Sequence, residues 1–477
     1  MNKKDFKTCM QQGRGICAIT LQNEKDVAKY KDVVLWGCLH NLSYDTQCEG
    51  VRAEYVYHLT TFFCDEAYFV APIIKAFASL SNRENDLFQH LSKLLSLFAK
   101  SGDEDAQLAI KQKYDALYSI LLNKRTFDDY DFERDNFELL CIALRHFGDT
   151  DNKFKIVCDL GQLIRENSHY DCDCFDWFCF CLENDFGKEG LQTFLSENSQ
   201  KSDAIKCFYE SYLQLKVKKE KAQRKRPPKT VVVSSVEKIK NAKKAKRKLP
   251  PKPVVVPSVE KIKNEVASTG RVAPLTKVRF SRLAEYDAKK ELAENAVAEV
   301  DLDKKAELLS PLFHDSFPLP HEIIIEYTKS EHERLQEVSL GILTNCQSDI
   351  VRDYAFSLLQ AKKHKAHALR MLLCNYTPED KQFLLDELNA LKVTYRDECD
   401  WHTIGFTILD LYAKDKELPK EFLFYIYNTT LCSCCRYAAI RELEKHHWLS
   451  EDITQECRYD SNKNIAEFVN STYPAKA

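Results

Sequence analysis

Apolar residues recur along the first part of the chain at the spacing of a helical face. They occupy Leu87, Leu91, Leu94, Leu95 and Phe98, and then Ile110, Tyr114, Leu117 and Leu121. Intervals of three and four residues place side chains on one face of an α-helix. The same pattern predicts further helices near residues 52–63, 68–80, 134–147, 151–166, 176–198 and 202–218. Because the connections between these segments are short, we expect neighbouring helices to pack antiparallel.

The second part of the chain returns to the helical pattern from about residue 279. It predicts helices near residues 331–344, 348–360, 364–374, 378–391, 400–413, 420–429, 434–446 and 462–471. The chain has only 12 glycines among 477 residues, and seven of its 14 prolines lie between 227 and 274. Sandwiches, barrels and propellers need regular turn residues, so this distribution disfavours them. The sequence therefore predicts an all-α protein.

The stretch from 216 to 275 differs from both helical parts. Residues 216–263 hold 18 lysines and arginines against three acids, a net charge of 18 − 3 = +15, whereas the whole chain carries −3. The rest of the chain therefore carries −3 − 15 = −18. A Lys- and Pro-rich stretch without aromatic residues buries too little surface to fold alone. We therefore expect a disordered basic linker at 216–275 between helical domains at 1–215 and 276–477.

The predicted linker contains an internal duplication. The sequence PPKTVVVSSVEKIKN at 227–241 matches PPKPVVVPSVEKIKN at 250–264 at all but two positions, with an offset of 23 residues. Repetition within a compositionally biased stretch is typical of extended, low-complexity chain. The duplication therefore agrees with the linker prediction.

Three C-terminal segments share a spacing of a basic residue, Ala at +3 and Leu at +7. They are Arg352-Ala355-Leu359, Lys365-Ala368-Leu372 and Arg436-Ala439-Leu443. In context, SDIVRDYAFSLL and CCRYAAIREL resemble the helices of HEAT-type repeats, and LWGCLHNLSYDTQCEGVRAEYVYHL at 35–59 is similar to uncharacterised bacterial HEAT-repeat proteins. The resemblance implies two α-solenoid domains of stacked helical hairpins. Since that family has no established activity, it implies no functional residues. The alternative is an irregular helical bundle.

Motifs of the commonest enzyme classes are absent from the sequence. It contains no Walker-type glycine loop, GxGxxG, HExxH, GxSxG or zinc-deaminase signature. The N-terminus is polar, and the longest apolar stretch is too short to cross a bilayer. We therefore expect a cytoplasmic protein whose 19 cysteines are reduced. We expect no catalytic residue, cofactor or metal, and no membrane partner.

Two groups of cysteines carry thiol donors for zinc. Cys172, Cys174, Cys179 and Cys181 have the spacing C-x-C-x4-C-x-C, and Cys432, Cys434 and Cys435 contain one C-x2-C pair at a predicted helix start. Structural zinc sites favour two C-x2-C pairs, whose turns aim both sulfurs at one point. Core packing is therefore the favoured interpretation of both groups.

Two further features could bind small or basic ligands. Trp36, His40, Asp45 and Arg52 lie near one predicted helix-pair junction, although Trp36 beside apolar neighbours is typical of a core. The acidic runs at 128–131 and 171–173 could bind a basic peptide, such as the linker of the same chain. A solvated loop is the favoured interpretation of each acidic run.

The basic linker carries the strongest indication of a binding function. Its clustered cations are Arg224, Lys225, Arg226, Lys243, Lys244, Lys246, Arg247 and Lys248. Lysine and arginine that neutralise phosphates release counterions, so the affinity falls steeply with salt. Because residues 216–279 include no aromatic side chain that could stack on bases, such binding would not depend on sequence. The alternative is a solvated tether, or one that folds back on the acidic domains.

These features favour a non-enzymatic scaffold that binds protein or peptide partners through helical-repeat surfaces. The second hypothesis is a protein that docks on nucleic acid through residues 216–263. The third hypothesis is an enzyme similar to the HEAT-like alkylpurine DNA glycosylases, which need a basic face on which Trp, Asp and Arg converge. Asp400 and Trp401 would be the residues of such a site, but acidic domains and four tryptophans disfavour it.

Overall fold

The computed structural model describes residues 1–81, 85–124, 131–147, 150–166, 175–224, 256–391, 400–414 and 417–474. These ranges form 27 α-helices and three short 3-10 helices, and they contain no strand. The prediction of an all-α protein is therefore confirmed. Contacts divide the chain into two compact units, one of residues 1–233, 431–434 and 450–477, the other of residues 234–430 and 435–449.

The first unit contains the first thirteen helices and the last two. They are α1 (Lys3–Gln12), α2 (Ile16–Asn23), α3 (Lys31–Cys38), α4 (Thr46–Glu49), α5 (Ala53–Thr60), α6 (Ala67–Ser79), α7 (Asn85–Ser101), α8 (Glu104–Leu122), α9 (Phe132–Phe147), α10 (Thr150–Glu166), α11 (Phe175–Phe186), α12 (Lys188–Ser199), α13 (Asp203–Arg224), α26 (Glu451–Cys457) and α27 (Lys463–Thr472).

The predicted apolar faces form the core of the first unit. Leu91, Leu94 and Leu95 on α7 and Ile110 on α8 are fully buried, and both helices pack against α9. One boundary differs from the sequence prediction, since 176–198 forms two helices, α11 and α12. Gly187 separates them with a positive φ of 72°, which glycine adopts without steric cost. The hydrophobic spacing identified the buried face but not this break.

The C-terminal residues 450–477 belong to the first unit. Gly15 makes their approach possible, because a Cβ at this position would lie 1.9 Å from the carbonyl oxygen of Glu456. Arg14 also forms a two-pronged ion pair with the Glu456 carboxylate, at 2.7 and 2.9 Å, and both side chains are largely buried. The backbone N–H of Ser461 donates to the carbonyl of Gly13 at 2.9 Å. The last two helices therefore complete the fold of the first unit.

The second unit contains the intervening helices. They are α14 (Val259–Thr269), α15 (Pro274–Leu283), α16 (Tyr286–Ala298), α17 (Leu302–Leu309), α18 (His321–Tyr327), α19 (Glu333–Leu343), α20 (Asp349–Gln360), α21 (Lys365–Cys374), α22 (Lys381–Asn389), α23 (Asp400–Ala413), α24 (Glu421–Thr429) and most of α25 (Ser433–Lys445). Helices α17, α19, α21 and α23 pack each on the next, while α18 packs on α20 and α22 on α24. The unit thus has two layers of helices.

The residues of the shared C-terminal spacing link these layers. Ala355, Ala368 and Ala439 are fully buried, as expected for small residues at close helix contacts. Arg352 on α20 pairs with Asp380 at 2.7 Å, and Lys365 on α21 pairs with Glu387 at 2.7 Å. Arg352 therefore contacts the residue that precedes α22, and Lys365 contacts a residue within α22.

The prediction of a disordered linker over 216–275 is wrong at both ends. Helix α13 continues to Arg224, and residues 259–269 form α14 with Val259, Ile262 and Val266 buried. This stretch does not fold alone, because α14 buries its three aliphatic side chains and packs against α16 and α17. Residues 225–255 lie outside the described residues.

The contacts also divide the chain differently from the predicted boundaries at 215/216 and 275/276. Residues 256–275 group with the second unit, and residues 450–477 group with the first. Within the described residues, every helix is too short or too polar to cross a bilayer.

Candidate functional site

The second unit contains an open groove along one layer of its helices. The groove is lined by α19, α21, α23 and the turn that follows α17. Its residues are Phe313, His314, Asp315, Ser316, Glu337, Thr344, Asn345, Gln347, Ala366, His367, Arg370, Cys374, Thr403, Phe406, Thr407, Asp410, Leu411 and Lys414. Because α19, α21 and α23 pack side by side, the groove crosses three successive helices.

Arg370 lies at the centre of the groove, on the middle helix. Its Nε donates a hydrogen bond of 2.9 Å to the hydroxyl of Thr407 on α23. Within the described residues its guanidinium makes no ion pair, and burial lowers the pKa of Arg370 from its usual value. A half-buried cation without a carboxylate partner is costly, because its water has been removed without an opposite charge. This arrangement is suited to binding an anionic group.

His367 lies one helical turn before Arg370 on the same helix. Burial, together with the charge of Arg370 and the nearby His364, lowers the pKa of His367 to about 4. The imidazole is therefore neutral at pH 7 and adds no positive charge. It leaves the guanidinium of Arg370 as the cation at the middle of the groove, with polar Thr403 and Thr407 on the neighbouring helix.

Most other charges that line the groove are already paired within the unit. Lys414 contacts Asp410 at 2.6 Å, one helical turn earlier on α23. Asp315 contacts Lys289 at 2.8 Å and accepts a hydrogen bond of 3.0 Å from Ser281. These pairs cancel locally, so they do not neutralise Arg370. Glu337 on α19 also lines the groove, but no ion pair joins it to Arg370 within the described residues.

Two phenylalanines give the groove an apolar surface. Phe406 on α23 is 54% exposed, which is unusual for so large an apolar side chain. Phe313 packs against α19 at Gly341, where a Cβ would lie 2.0 Å from the Phe313 ring. Asn345 also donates to the carbonyl of Phe313 at 3.1 Å. The position of Phe313 at the edge of the groove therefore depends on a glycine and on an amide side chain.

The first unit has a smaller polar cavity between α5, α7, α9 and the start of α27. Arg52 is buried there, with its Nη2 2.7 Å from Glu49 and 2.7 Å from the carbonyl of Leu431. Glu54 contacts both Lys93 and Lys463. Because these charges are paired with one another, they fix the position of the C-terminal residues.

The four residues predicted near the N-terminal helix-pair junction have structural partners. His40 stacks on Trp36 with ring centroids 4.5 Å apart, and its Nδ1 bonds the carbonyl of Trp36 at 2.7 Å. Asp45 caps α4 by accepting the backbone N–H groups of residues 47 and 48. Arg52 forms the buried pair with Glu49 described above. The structure does not bring the four side chains to one site.

The cysteine groups are mostly buried where they are described. Cys179 and Cys181 on α11 are in the core, while Cys172 and Cys174 lie outside the described residues. Cys432 and Cys435 are buried and Cys434 is exposed. Although Cys434 is exposed overall, partial desolvation of its sulfur, together with the nearby Cys432 and Glu49, raises the pKa of this thiol to about 11, so it is protonated at neutral pH.

The remaining predicted site residues are only partly described. Arg224 ends α13, and its side chain lies outside the description, as do Lys225, Arg226, Lys243, Lys244, Lys246, Arg247 and Lys248. Trp401 is buried at 4% exposure, and the side chain of Asp400 is not described. Among the acidic runs, Asp131 is buried and contacts Lys124 at 2.6 Å, while residues 125–130 and 167–174 lie outside the description.

Sequence reasoning missed Arg370, although it identified the helix that carries it. The Lys365-Ala368-Leu372 spacing marked the buried face of α21, and Arg370 is two residues from that face. An arginine between apolar residues in ALRMLLC, residues 368–374, was the available signal. The sequence could not show that this guanidinium forms no ion pair with the described residues of α19 and α23.

Comparisons with known proteins add no name to this geometry. No family model and no curated protein matches the chain. A solved crystal structure of an engineered protein aligns over 93% of this chain and 98% of its own, with 12% identity and a TM-score of 0.20. A TM-score of this size carries no argument about fold or function. The resemblance to HEAT repeats therefore stays a prediction.

Proposed function

We propose that the second unit is a HEAT-like helical-repeat module and that its groove binds an extended peptide of a protein partner. The protein would then act as a non-enzymatic adaptor. Support comes from the two helix layers and from the groove across three helices of one layer. Helical-repeat proteins bind partners along surfaces of this kind.

The observation that carries the proposal is the half-buried Arg370, which forms no ion pair within the part of the chain that the structure describes. A carboxylate from a partner could form a two-pronged, charge-assisted hydrogen-bond pair with this guanidinium. Such a contact would give Arg370 the ion-pair partner that it lacks among the described residues, although Glu337 also lines the groove. We therefore propose that the peptide contains Asp or Glu at its centre.

The dimensions of the groove set the length of the peptide. Packed helices lie about 8–10 Å apart, so the axes of α19 and α23 are separated by roughly 16–20 Å. An extended chain advances about 3.3 Å per residue, and five or six residues cover this span. The exposed ring of Phe406 would provide an apolar contact beside the central carboxylate.

The proposal is tested with three fluorescent nine-residue peptide libraries that differ only at the central position. The libraries carry Glu, Gln or Lys there and random residues elsewhere, and anisotropy reports their binding to the full-length chain. We expect the Glu library to bind at least about tenfold more tightly than the Gln library, as charged hydrogen bonds add 1.5–3 kcal/mol. Equal binding of the three libraries would contradict the proposal.

Nucleic-acid binding through residues 216–263 is a second candidate function. It is supported by the concentration of +15 charges in this segment of a chain whose net charge is −3. Lys261 and Lys263 are paired with glutamates on α14, so the argument rests on the cations upstream of this helix. Full-length protein and a deletion of 225–255 should be titrated with labelled DNA and RNA at low and near-physiological salt. Binding that needs the segment and collapses with salt supports this function. No binding at low salt contradicts it.

A further inference from the structure

Helix α14 is seated on the second unit by a short set of side chains. Val259, Ile262 and Val266 face inward with exposures of 4%, 0% and 3%. Ser258 caps the helix by accepting the backbone N–H of Lys261 at 3.2 Å. The helix packs on α16 and α17, whose surface we call the α14 seat. The N-cap and the first turns of α14, which occupy the seat, have the sequence SVEKIKN, residues 258–264.

The same seven residues occur once more in the chain. Residues 235–241 also read SVEKIKN, 23 positions upstream, and place Ser235, Val236 and Ile239 where α14 has Ser258, Val259 and Ile262. A segment with the same cap and the same first two apolar anchors offers the α14 seat the same contacts over its first turns. We propose that residues 235–241 are a second ligand of the α14 seat and exchange with α14 in the same chain.

The two copies differ where α14 makes its remaining contacts. Glu265 accepts the backbone N–H of Ala273 at 3.0 Å and the hydroxyl of Thr276 at 2.9 Å, and the upstream copy has Ala242 in its place. The buried Val266 corresponds to Lys243. Loss of one buried aliphatic side chain and two hydrogen bonds favours α14 by roughly 100-fold or more. The upstream copy is therefore the minor occupant in the unmodified chain.

Loop closure adds little to the cost of exchange within one chain. Seating the upstream copy requires a loop from residue 242 to residue 273, before α15 begins at Pro274. The entropic cost of closing a loop rises only slowly with its length. A segment tethered in the same chain therefore keeps a high effective concentration at the seat. The exchange releases α14 and exposes its apolar face, so it would couple the duplicated segment to the surface of the second unit.

The test weakens α14 in the full-length chain and follows the upstream copy by hydrogen exchange with mass spectrometry. The substitution I262D places a charge at the central anchor of α14, and I262A is a milder variant that only shortens the same buried side chain. We expect amide exchange in residues 235–241 to slow by at least tenfold in I262D relative to wild type. We expect a smaller slowing of the same sign in I262A.

The matched control is the equivalent substitution in the upstream copy. I239D alone should leave the urea unfolding midpoint the same as that of wild type. The double variant I239D/I262D should have a lower midpoint than I262D alone, and its residues 235–241 should no longer show slowed exchange. Unchanged exchange at 235–241 in both I262D and I262A, with α16 and α17 still protected, would overturn the proposal. Slowed exchange that appears only with a concentration-dependent dimer would also overturn it, because the ligand would then come from a second chain.

Discussion

Arg370 gives the sharpest prediction, because removing it should change binding and stability in different ways. The substitution R370M keeps most of the side-chain volume and deletes the charge. The guanidinium has one hydrogen bond, to Thr407, and no ion pair within the described residues. Replacing such a desolvated charge by an apolar side chain is often neutral or stabilising. We therefore expect the free energy of unfolding to stay within about 1 kcal/mol of wild type or to rise.

Peptide binding should respond in the opposite direction. Loss of a charge-assisted contact to a carboxylate costs about 1.5–3 kcal/mol, which lowers affinity roughly 10- to 150-fold. The assay is anisotropy with the central-Glu library, run beside urea unfolding of the same sample. The Gln library should lose much less affinity than the Glu library on R370M, because its central side chain carries no charge.

Arg352 provides a matched control on the adjacent helix. It is also an arginine, but it is paired with Asp380 at 2.7 Å and does not line the groove. R352M should lower stability, since it leaves the largely buried Asp380 carboxylate without its cation. It should leave peptide affinity unchanged. If R370M destabilises the protein as much as R352M and keeps its preference for the Glu library, the reasoning about the groove is refuted.

Three further predictions test the fold around these sites. G341A should lower stability by about 1–3 kcal/mol, because its Cβ would lie 2.0 Å from the Phe313 ring. A Cβ at Gly405 meets nothing within 4 Å, so G405A should be neutral or stabilising by up to about 1 kcal/mol. Equal urea midpoints for the two variants would contradict this prediction. E456Q should cost about 3–5 kcal/mol by breaking a buried ion pair, while D32N at an exposed pair should cost under about 1 kcal/mol; urea unfolding at pH 7 distinguishes them. Burial lowers the pKa of His90 to about 4, so the unfolded chain binds a proton on this imidazole more tightly than the folded chain does. Up to about 3 kcal/mol of stability is therefore lost as the pH falls from 6.5 towards 4. The H90Q variant should lose less stability over this interval, and a pH profile of stability parallel to that of wild type would contradict the assignment.

The helical class and most helix positions could be predicted from the sequence. Apolar spacing depends on local geometry, so the faces of α7, α8 and α21 are legible without any knowledge of their neighbours. Gly187 was a local signal as well, but one glycine inside an amphipathic pattern does not by itself distinguish a break from a tolerated residue.

The seat of α14 shows why the linker prediction failed. Val259, Ile262 and Val266 have helical spacing, and Ser258 is a suitable cap. The average composition of residues 216–275 is dominated by lysine and proline, which predicts a linker in spite of these local helix features. Three apolar residues are too few for an independent fold, but they suffice for a helix that docks on a surface already formed.

Sequence reasoning could not predict the return of the C-terminal residues to the first unit, nor that Arg370 has no ion pair among the described residues. Both depend on contacts between positions far apart in the chain, such as Gly15 with Glu456. A single sequence records the glycine and the glutamate but not their proximity. In the same way, it records Arg370 but not which charges its neighbours place beside it.

The central claim is that a peptide binds in the groove of the second unit, and photo-crosslinking locates that binding most directly. A benzophenone amino acid should replace Phe406, which is 54% exposed in the groove, and in a separate sample Leu108, which is 53% exposed in the first unit. We predict that irradiation with the central-Glu library yields adducts at position 406 that unlabelled Glu peptides compete away, and few at position 108. Equal adducts at both positions, or none at 406 while the peptides still bind, would contradict the account.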